Sequence, residues 1–530
     1  MSSVQTPVRQ SPSTRGMWIG LAVLMLPVLT VAITTTALSF ALPEIAADLR
    51  PSATQLLWIV DVYPLILAGL LIPMGTVGDR VGRRALLMVG SVGFALASIA
   101  GGLSSSAEML IAARVALAVF GSMLLPATLS LIRVLFTSDA SRRIAIAVWT
   151  AGFSAGAALG PIIGGFLLSW TTWHTAVLVA VPFCVLFVVL GPIALPESKD
   201  PRPGKLDVVS ALLAILTMTP IVYGIKTLAT AGSALAGAVA LVLGVAVGVL
   251  FVLRQRRLSH PMVELGLFRS GRFTGGVLVN IAANIAQFGF LFFLTQHLQL
   301  VVGMDPLNAG LMIVPGMALA IVSGLVGARW AGTAGPRTVV VTGVVLVAAG
   351  YTVIAATADA TQWPLTIGYA VLSCGIGMAT TLSTELVVGS VPPEKSGSAS
   401  AISETGYEVG AVLGTALLGG IVTGLYQRFL VIPDGIDAAT AEQAQQTLGG
   451  AYAVGAQVAD GRQLMDAAGL AYTQAIQVTG VVTAVILVLF SVLVLRLLRA
   501  PAIAASLDTR TGQLEIVPAP RTPGEGHDRG

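Results

Sequence analysis

Charge is what this chain has least of. Only 10% of its 530 residues are charged, against 55% that are hydrophobic, whereas a soluble domain carries about 25% charged residues. That scarcity, with a mean hydropathy of +0.89, excludes an ordinary soluble domain. It makes the chain an integral membrane protein whose helices are the units to count. Cysteine is nearly absent as well. Cys184 and Cys374 both sit inside apolar runs, which excludes a disulfide framework and leaves them as small packing residues. The four histidines, His297 near a helix end among them, show no ligand spacing, so no metal site is expected. No glycine–lysine phosphate loop is present, so nothing calls for a nucleotide. The net charge of +4 is small, and no nucleic-acid partner is expected.

What the chain does have is long apolar runs. Crossing about 30 Å of hydrocarbon takes roughly 20 apolar residues. On that rule there are fourteen spans, starting near 17, 55, 85, 107, 144, 174, 207, 234, 273, 307, 338, 364, 397 and 473. They must be helices, because backbone groups in lipid need partners within their own segment, and no alternating barrel pattern occurs. The first run is too long for a signal-peptide core and stays as a helix. With the N-terminus in the cytoplasm, only Arg50, Arg428 and Arg462 of the 29 Lys and Arg fall outside, while Arg114 and Lys226 lie within spans. That asymmetry is what cytoplasmic retention of positive loops predicts, and it places both termini inside.

A repeat suggests how the spans are grouped. "GAALGPIIGG" starts at Gly156 in span 5 and "GAVLGTALLGG" at Gly410 in span 13, so that Gly156 and Gly160 match Gly410 and Gly414 at one offset. Glycine-rich helices pack closely in any bundle, but a shared offset points to the internal repeats of secondary transporters. The expected division is a cytoplasmic tail (1–16), a six-helix bundle (17–196) and an inserted helix pair, spans 7 and 8 (197–272). A second six-helix bundle (273–500) follows, with an outer loop at 427–470, and then a disordered cytoplasmic tail (501–530) rich in Pro, Gly and charge. Within the outer loop "DAATAEQAQQTL" reads as a short surface helix capped by Asp437.

The chemistry lies in a few polar residues inside spans. Asp61 is in span 2, Glu385 near the inner face of span 12, and Glu404 and Glu408 in span 13. The last two are one helical turn apart and share a face. Neighbouring carboxylates in a low dielectric cannot both ionise easily. Such a group takes a proton from one side and releases it to the other, and when deprotonated it holds a cation. Those states exclude each other, which is the simplest basis of exchange. A structural hydrogen bond or ion pair is the alternative, but intramembrane acids are functional candidates by default. Arg114 in span 4 costs at least ~2.5 kcal/mol in lipid and so faces the interior. Trp58, Tyr63, Trp149, Phe153, Phe288, Phe292 and Tyr407 can supply apolar area and receive cations on their faces. Asn280, Asn284 and Gln287 run at helical spacing on span 9 and suit a wet cavity.

"GTVGDRVGRR", Gly75 to Arg84, reads as a short cytoplasmic loop between spans 2 and 3. Its glycines permit a tight turn, and Asp79 is placed to meet an arginine or the positive end of a helix. Its arginines can also bind anionic lipid headgroups. Topology alone accounts for Arg80, Arg83 and Arg84 but not for Asp79. The stretch resembles the loop signature of the major facilitator superfamily, with a degraded echo, "GARWAGTAGPR", after span 10. The resemblance implies a cytoplasmic latch formed by Gly75, Asp79, Arg80, Gly82, Arg83 and Arg84. "GAALGPIIGG" is similar to the family's antiporter signature, which implies drug:proton exchange and export for Gly156, Gly160, Pro161, Gly164 and Gly165. Arg114 resembles the family's span-4 arginine, implicated in proton transfer, with a structural ion pair as the rival role.

Further stretches, "WIVDVYPLILAG", "LPATLSLIRVLF", "WHTAVLVAVPF", "LPESK" and "ETGYEVG", look like the QacA-type, fourteen-helix drug:proton antiporters, over about residues 17–497. In those relatives Asp61 and Glu404 match membrane acids tied to substrate and proton handling, and Glu408 stands where an aspartate is usual. The chain departs from them at Thr34 and Ala320, where aspartates can occur, which implies a less negative binding region. The resemblance therefore implies an all-α major facilitator fold of six, two inserted and six helices. It also implies a proton-coupled exporter of lipophilic, often cationic, drugs or antiseptics in a bacterial plasma membrane. Such a protein is not an enzyme and runs on the proton gradient in place of a cofactor, as a monomer among membrane lipids. A dedicated exporter of a self-made antibiotic, other metabolite or lipid is the alternative.

Overall fold

The computed structural model describes residues 14–136, 138–199, 207–229, 233–259, 261–357, 362–391, 396–458, 461–498, 504–507 and 514–517. Fourteen helices among them are long and apolar enough to cross a membrane, the number that hydropathy predicts. In chain order, spans 1 to 6 are Arg15–Leu49, Ala53–Val81, Arg83–Gly102, Ala107–Leu135, Ile144–Trp170 and Trp173–Ala194. Spans 7 and 8 are Val208–Ala229 and Ala234–Arg257. Spans 9 to 14 are Gly271–Val301, Pro306–Ala334, Pro336–Thr357, Trp363–Gly389, Ala401–Phe429 and Gly461–Leu497.

The packing of spans 1–6 is repeated in spans 9–14. Span 1 lies on 5, 2 on 4, 3 on 4 and 3 on 6; in the second set 9 lies on 13, 10 on 12, 11 on 12 and 11 on 14. The repeated glycines make the first of these contacts in each set. A Cβ on Gly160 would collide with Thr36 Oγ1, and one on Gly156 would come within 2.9 Å of Ala32. Their counterparts Gly410 and Gly414 would meet the Ile281 and Ile285 carbonyls at 2.8 and 2.6 Å. The two sets meet along two seams, span 5 against 10 and span 2 against 13. Spans 7 and 8 pack on each other, and span 7 also lies against spans 2 and 13. Gly69 admits it, since a Cβ there would collide with Ile215 Cγ1.

Two boundaries differ from the hydropathy reading. Span 2 is helical through Val81, started by a capping box between Ser52 and Gln55, so most of the expected Gly75–Arg84 loop is helix. Glycine and charge there mark a helix leaving the apolar layer, not a chain leaving helical geometry. The turn itself is one residue, Gly82, at φ +121°, a conformation that suits glycine. Span 14 starts at Gly461 rather than near 473. Its first turns are amphipathic: Leu464, Ala468 and Ala471 are buried while Arg462 is exposed, and a hydropathy window sees only the apolar remainder. The outer segment before it carries the short Asp437-capped helix that the sequence predicts, and a second helix after it. Asp437 caps Ala438–Gln446, accepting from the backbone N–H of Ala439 and Thr440 at 3.0 Å. The next helix, Leu448–Gly455, packs on span 1, where a Cβ on Gly449 would meet Ala46 at 2.7 Å. In the C-terminal tail, strands β1 (Ala504–Leu507) and β2 (Leu514–Val517) pair antiparallel, Ala504 opposite Val517; the other tail residues lie outside the described ones.

Candidate functional site

The site begins with a proline. Pro64 in span 2 has no N–H, so the Val60 carbonyl loses its helical donor. Arg114, from span 4, takes that place. Its Nη2 donates to Val60 O at 3.3 Å and its Nε to Ile59 O at 3.0 Å. Its guanidinium also lies 4.7 Å from the Tyr63 ring centroid. Arg114 is therefore buried as expected, but what it holds is an interrupted backbone turn rather than a carboxylate. That turn leads directly into Asp61.

Asp61 is completely buried and is paired with a residue that the sequence marked only as lying in a span. Lys226 Nζ, from span 7, is 3.0 Å from Asp61 Oδ2, and both side chains are 0% exposed. The same ammonium sits 4.3 Å from the Trp58 ring centroid. A buried pair of this kind needs close geometry to offset the loss of hydration.

Beside the pair lies a small cavity bounded by Asp61 and Arg114 and by Phe288, Phe292 and Thr415 from the second set. Span 1 contributes Thr35 and Ser39. Thr34, the expected pocket residue, is instead buried with its hydroxyl donating to Thr30 O at 2.7 Å. A helix turns adjacent residues by about 100°, so Thr35 faces the cavity where Thr34 does not.

Glu404 and Glu408 approach from span 13. Glu404 is half-buried and Glu408 is 4% exposed. Both share a helix face with Ala411 and Thr415, which line the cavity. Among the described residues, Glu408 Oε2 meets no hydrogen-bond partner, and a buried polar atom left so calls for an explanation. Glu385 does not join this group: it is exposed near the end of span 12. That agrees with its expected place near the face of the membrane, one turn before the helix ends at Gly389.

Four of the seven expected aromatics form a connected row, while Trp58, Tyr63 and Phe292 lie outside it. Trp149 stacks on Phe153 at 6.1 Å and donates from Nε1 to Thr128 at 3.0 Å. Phe153 meets Tyr407 edge-on at 6.1 Å, and Tyr407 meets Phe288 at 5.6 Å. The row thus runs from span 5 through span 13 to span 9. Asn284 donates to Asn280 O at 2.8 Å, and Asn280 donates to Ser403 at 3.2 Å. Both asparagines are buried and spend their donors in holding span 9 to itself and to span 13.

The charged junction after span 2 is self-contained. Asp79 accepts from Arg83 Nη2 at 2.9 Å, and Arg83 Nη1 reaches Ser198 at 3.2 Å. Glu197, from "LPESK", accepts from the backbone N–H of Arg84 and Ala85, each at 3.1 Å. It covers the N-terminus of span 3, where an anion is favoured. Arg84 Nη1 donates to Leu195 O at 3.0 Å. A Cβ on Gly82 would come within 2.6 Å of Glu197 Oε1, which is a second reason for glycine there. Gly75 and Arg80 lie in the helix just before. In span 5, Gly164 lies on Ala37, and Gly165 meets Pro306 O of span 10, to which its Cβ would be 2.5 Å. The Pro161 carbonyl would be 2.6 Å from a Cβ on Gly310.

The family model described as Major Facilitator Superfamily matches residues 24–415. The chain is 47% identical over 488 residues to the multidrug efflux pump LfrA of Mycolicibacterium smegmatis, covering 92% of this chain and 95% of that protein. It is 34% identical to the methyl viologen resistance protein SmvA of Salmonella typhimurium, covering 86% of this chain and 93% of that one. Among solved structures it resembles a bacterial homolog to the human lysosomal transporter Spinster, inward-facing and unoccupied. There the TM-score is 0.65 at 18% identity, covering 92% of this chain and 98% of that one, a likeness of fold.

Proposed function

The chain belongs to the Major Facilitator Superfamily, whose members are transporters and not enzymes, and from that premise we propose that it is a proton-coupled antiporter exporting lipophilic, often cationic, drugs from bacterial cells. The observation that carries this reading is a set of interior carboxylates, Asp61 and Glu408 foremost, on the two helices that meet at one seam. Rings beside them supply apolar surface. An ionised carboxylate there attracts an organic cation, and a protonated one releases it. Rocking of one six-span set against the other then exposes the site to the two sides in turn.

The glycine contacts of span 5 let it slide closely on spans 1 and 10. The Asp79–Arg83–Glu197 cluster is the latch, fastening the junction of spans 2 and 3 to the end of span 6. In this reading both termini are cytoplasmic, the membrane is the bacterial plasma membrane, the protein acts as a monomer and the proton gradient supplies the work. Relatives named for multidrug efflux and for methyl viologen resistance support the substrate class.

The test is loss of a fluorescent lipophilic cation from preloaded cells that lack their own pumps. Expression should speed efflux, and a protonophore should abolish the gain. Efflux unaffected by the protonophore contradicts proton coupling. A panel of cationic, neutral and anionic compounds in which only one scaffold is exported turns the reading to a dedicated exporter.

A further inference from the structure

We propose that the Lys226 ammonium is a tethered stand-in for the cationic substrate, seated between the Asp61 carboxylate and the Trp58 ring, and that an organic cation binds there by displacing it. The proposal rests on the efflux reading above and adds the residue that sets charge selectivity.

The seat has the two parts that recognise an organic cation, a desolvated carboxylate and an aromatic face. Lys226 touches both, 3.0 Å from Asp61 Oδ2 and 4.3 Å from the Trp58 centroid. A small cavity adjoins the carboxylate and has no span-7 residue in its lining, so the side of Asp61 away from Lys226 is the one that opening of the seam would expose to a ligand. The ammonium comes from a helix outside both repeated six-span sets. The inserted pair thereby supplies a charge that neither set carries at this point. Held in place, it spares Asp61 an uncompensated charge while no substrate is bound. Arg114 of span 4 also stands beside Asp61 but is engaged with the Ile59 and Val60 carbonyls. A neutral ligand cannot replace the ammonium. It must use the Phe153–Tyr407–Phe288 row and leave the pair closed.

The test is equilibrium binding to the purified full chain in lipid nanodiscs at fixed pH. The probes are tetraphenylphosphonium and the neutral triphenylphosphine oxide. Removing the competitor should tighten cation binding: Lys226→Met lowers the Kd for tetraphenylphosphonium about tenfold and leaves that for the neutral probe unchanged. Lys226→Arg keeps the wild-type values. Asp61→Asn combined with Lys226→Met loses the gain. Lys226→Gln, with a polar end, should shift in the same direction as Lys226→Met and serves if that variant does not fold.

Unchanged or weaker cation binding in a folded Lys226→Met or Lys226→Gln protein overturns the proposal and makes Lys226 a brace for the inserted pair. Export of tetraphenylphosphonium by wild-type vesicles separates the two claims. Export with no tightening in the variant sinks this proposal alone. Tightening without any export sinks the efflux reading and leaves the seat standing.

Discussion

At the scale of the residue, span 2 concentrates the chemistry. Pro64 frees a carbonyl, Arg114 claims it, and the fixed turn presents Asp61 to Lys226. Arginine suits this task because its rigid planar fork presents separate donors to the two neighbouring carbonyls. Asp61→Asn should therefore do two things. It should abolish export of lipophilic cations, and it should destabilise the fold by roughly 3–5 kcal/mol by stranding a buried ammonium. Thermal unfolding checks the second effect, and adding Lys226→Met to Asp61→Asn should recover much of the loss. An Asp61→Asn protein as stable as wild type would show that the pair is not the buried bond described. Asp61, Glu404 and Glu408 could be read from the sequence because a carboxylate among apolar residues needs a reason to be there. The partner of Asp61 could not: one lysine scarcely disturbs a hydropathy window, and only the placement of span 7 at the 2–13 seam brings it near. Thr34 misled for a smaller reason, since one position along a helix changes the face.

At the scale of the element, glycine decides which helices can touch. The span-5 motif resembles a transport signature, and its physical content is a groove that fits span 1. Gly160→Leu forces side-chain atoms into Thr36. It should cost about 1–3 kcal/mol by overpacking and slow transport more than it weakens binding, as seen in the ratio of efflux rate to Kd. Equal loss of both would argue against a sliding contact.

The inserted pair has its own fastening. Asp207 accepts from Arg254 at 2.8 Å and from the Ser210 amide at 3.0 Å. Burial acts to raise its pKa, but the bonds from Ser210 and Arg254 hold it below the usual carboxylate range. A lowered folded-state pKa stabilises above the unfolded value of about 3.9 and is lost as pH falls through the folded value. Asp207→Asn should thus lower the Tm near neutrality, with the gap to wild type closing below about pH 4. A gap independent of pH would rule this fastening out. Element ends were the least readable part of the chain. Span 2 outlasts its apolar run and span 14 precedes its own, because helices continue beyond lipid wherever one face still has something to pack on.

At the scale of the whole molecule, the fourteen-helix count follows from span length and hydropathy, and the pairing of helices in one half is echoed in the other. The count was readable because lipid permits so few alternatives for an apolar run of that length. How spans 7 and 8 sit against the two sets was not, since nothing in their apolar surfaces names a partner. With span 7 at the seam, every charged group proposed to act in exchange, Asp61, Glu404, Glu408 and Lys226, lies on a helix that helps form that one interface or rests against it.

The central claim is that carboxylates at this seam exchange protons for organic cations. The direct measurement is a pH-gradient dye in everted vesicles energised by respiration, with tetraphenylphosphonium added. Wild-type vesicles should lose part of their gradient at once as protons leave in exchange for the cation, and vesicles carrying Glu408→Gln should not. An undisturbed gradient in wild-type vesicles that nonetheless accumulate the cation would contradict the account.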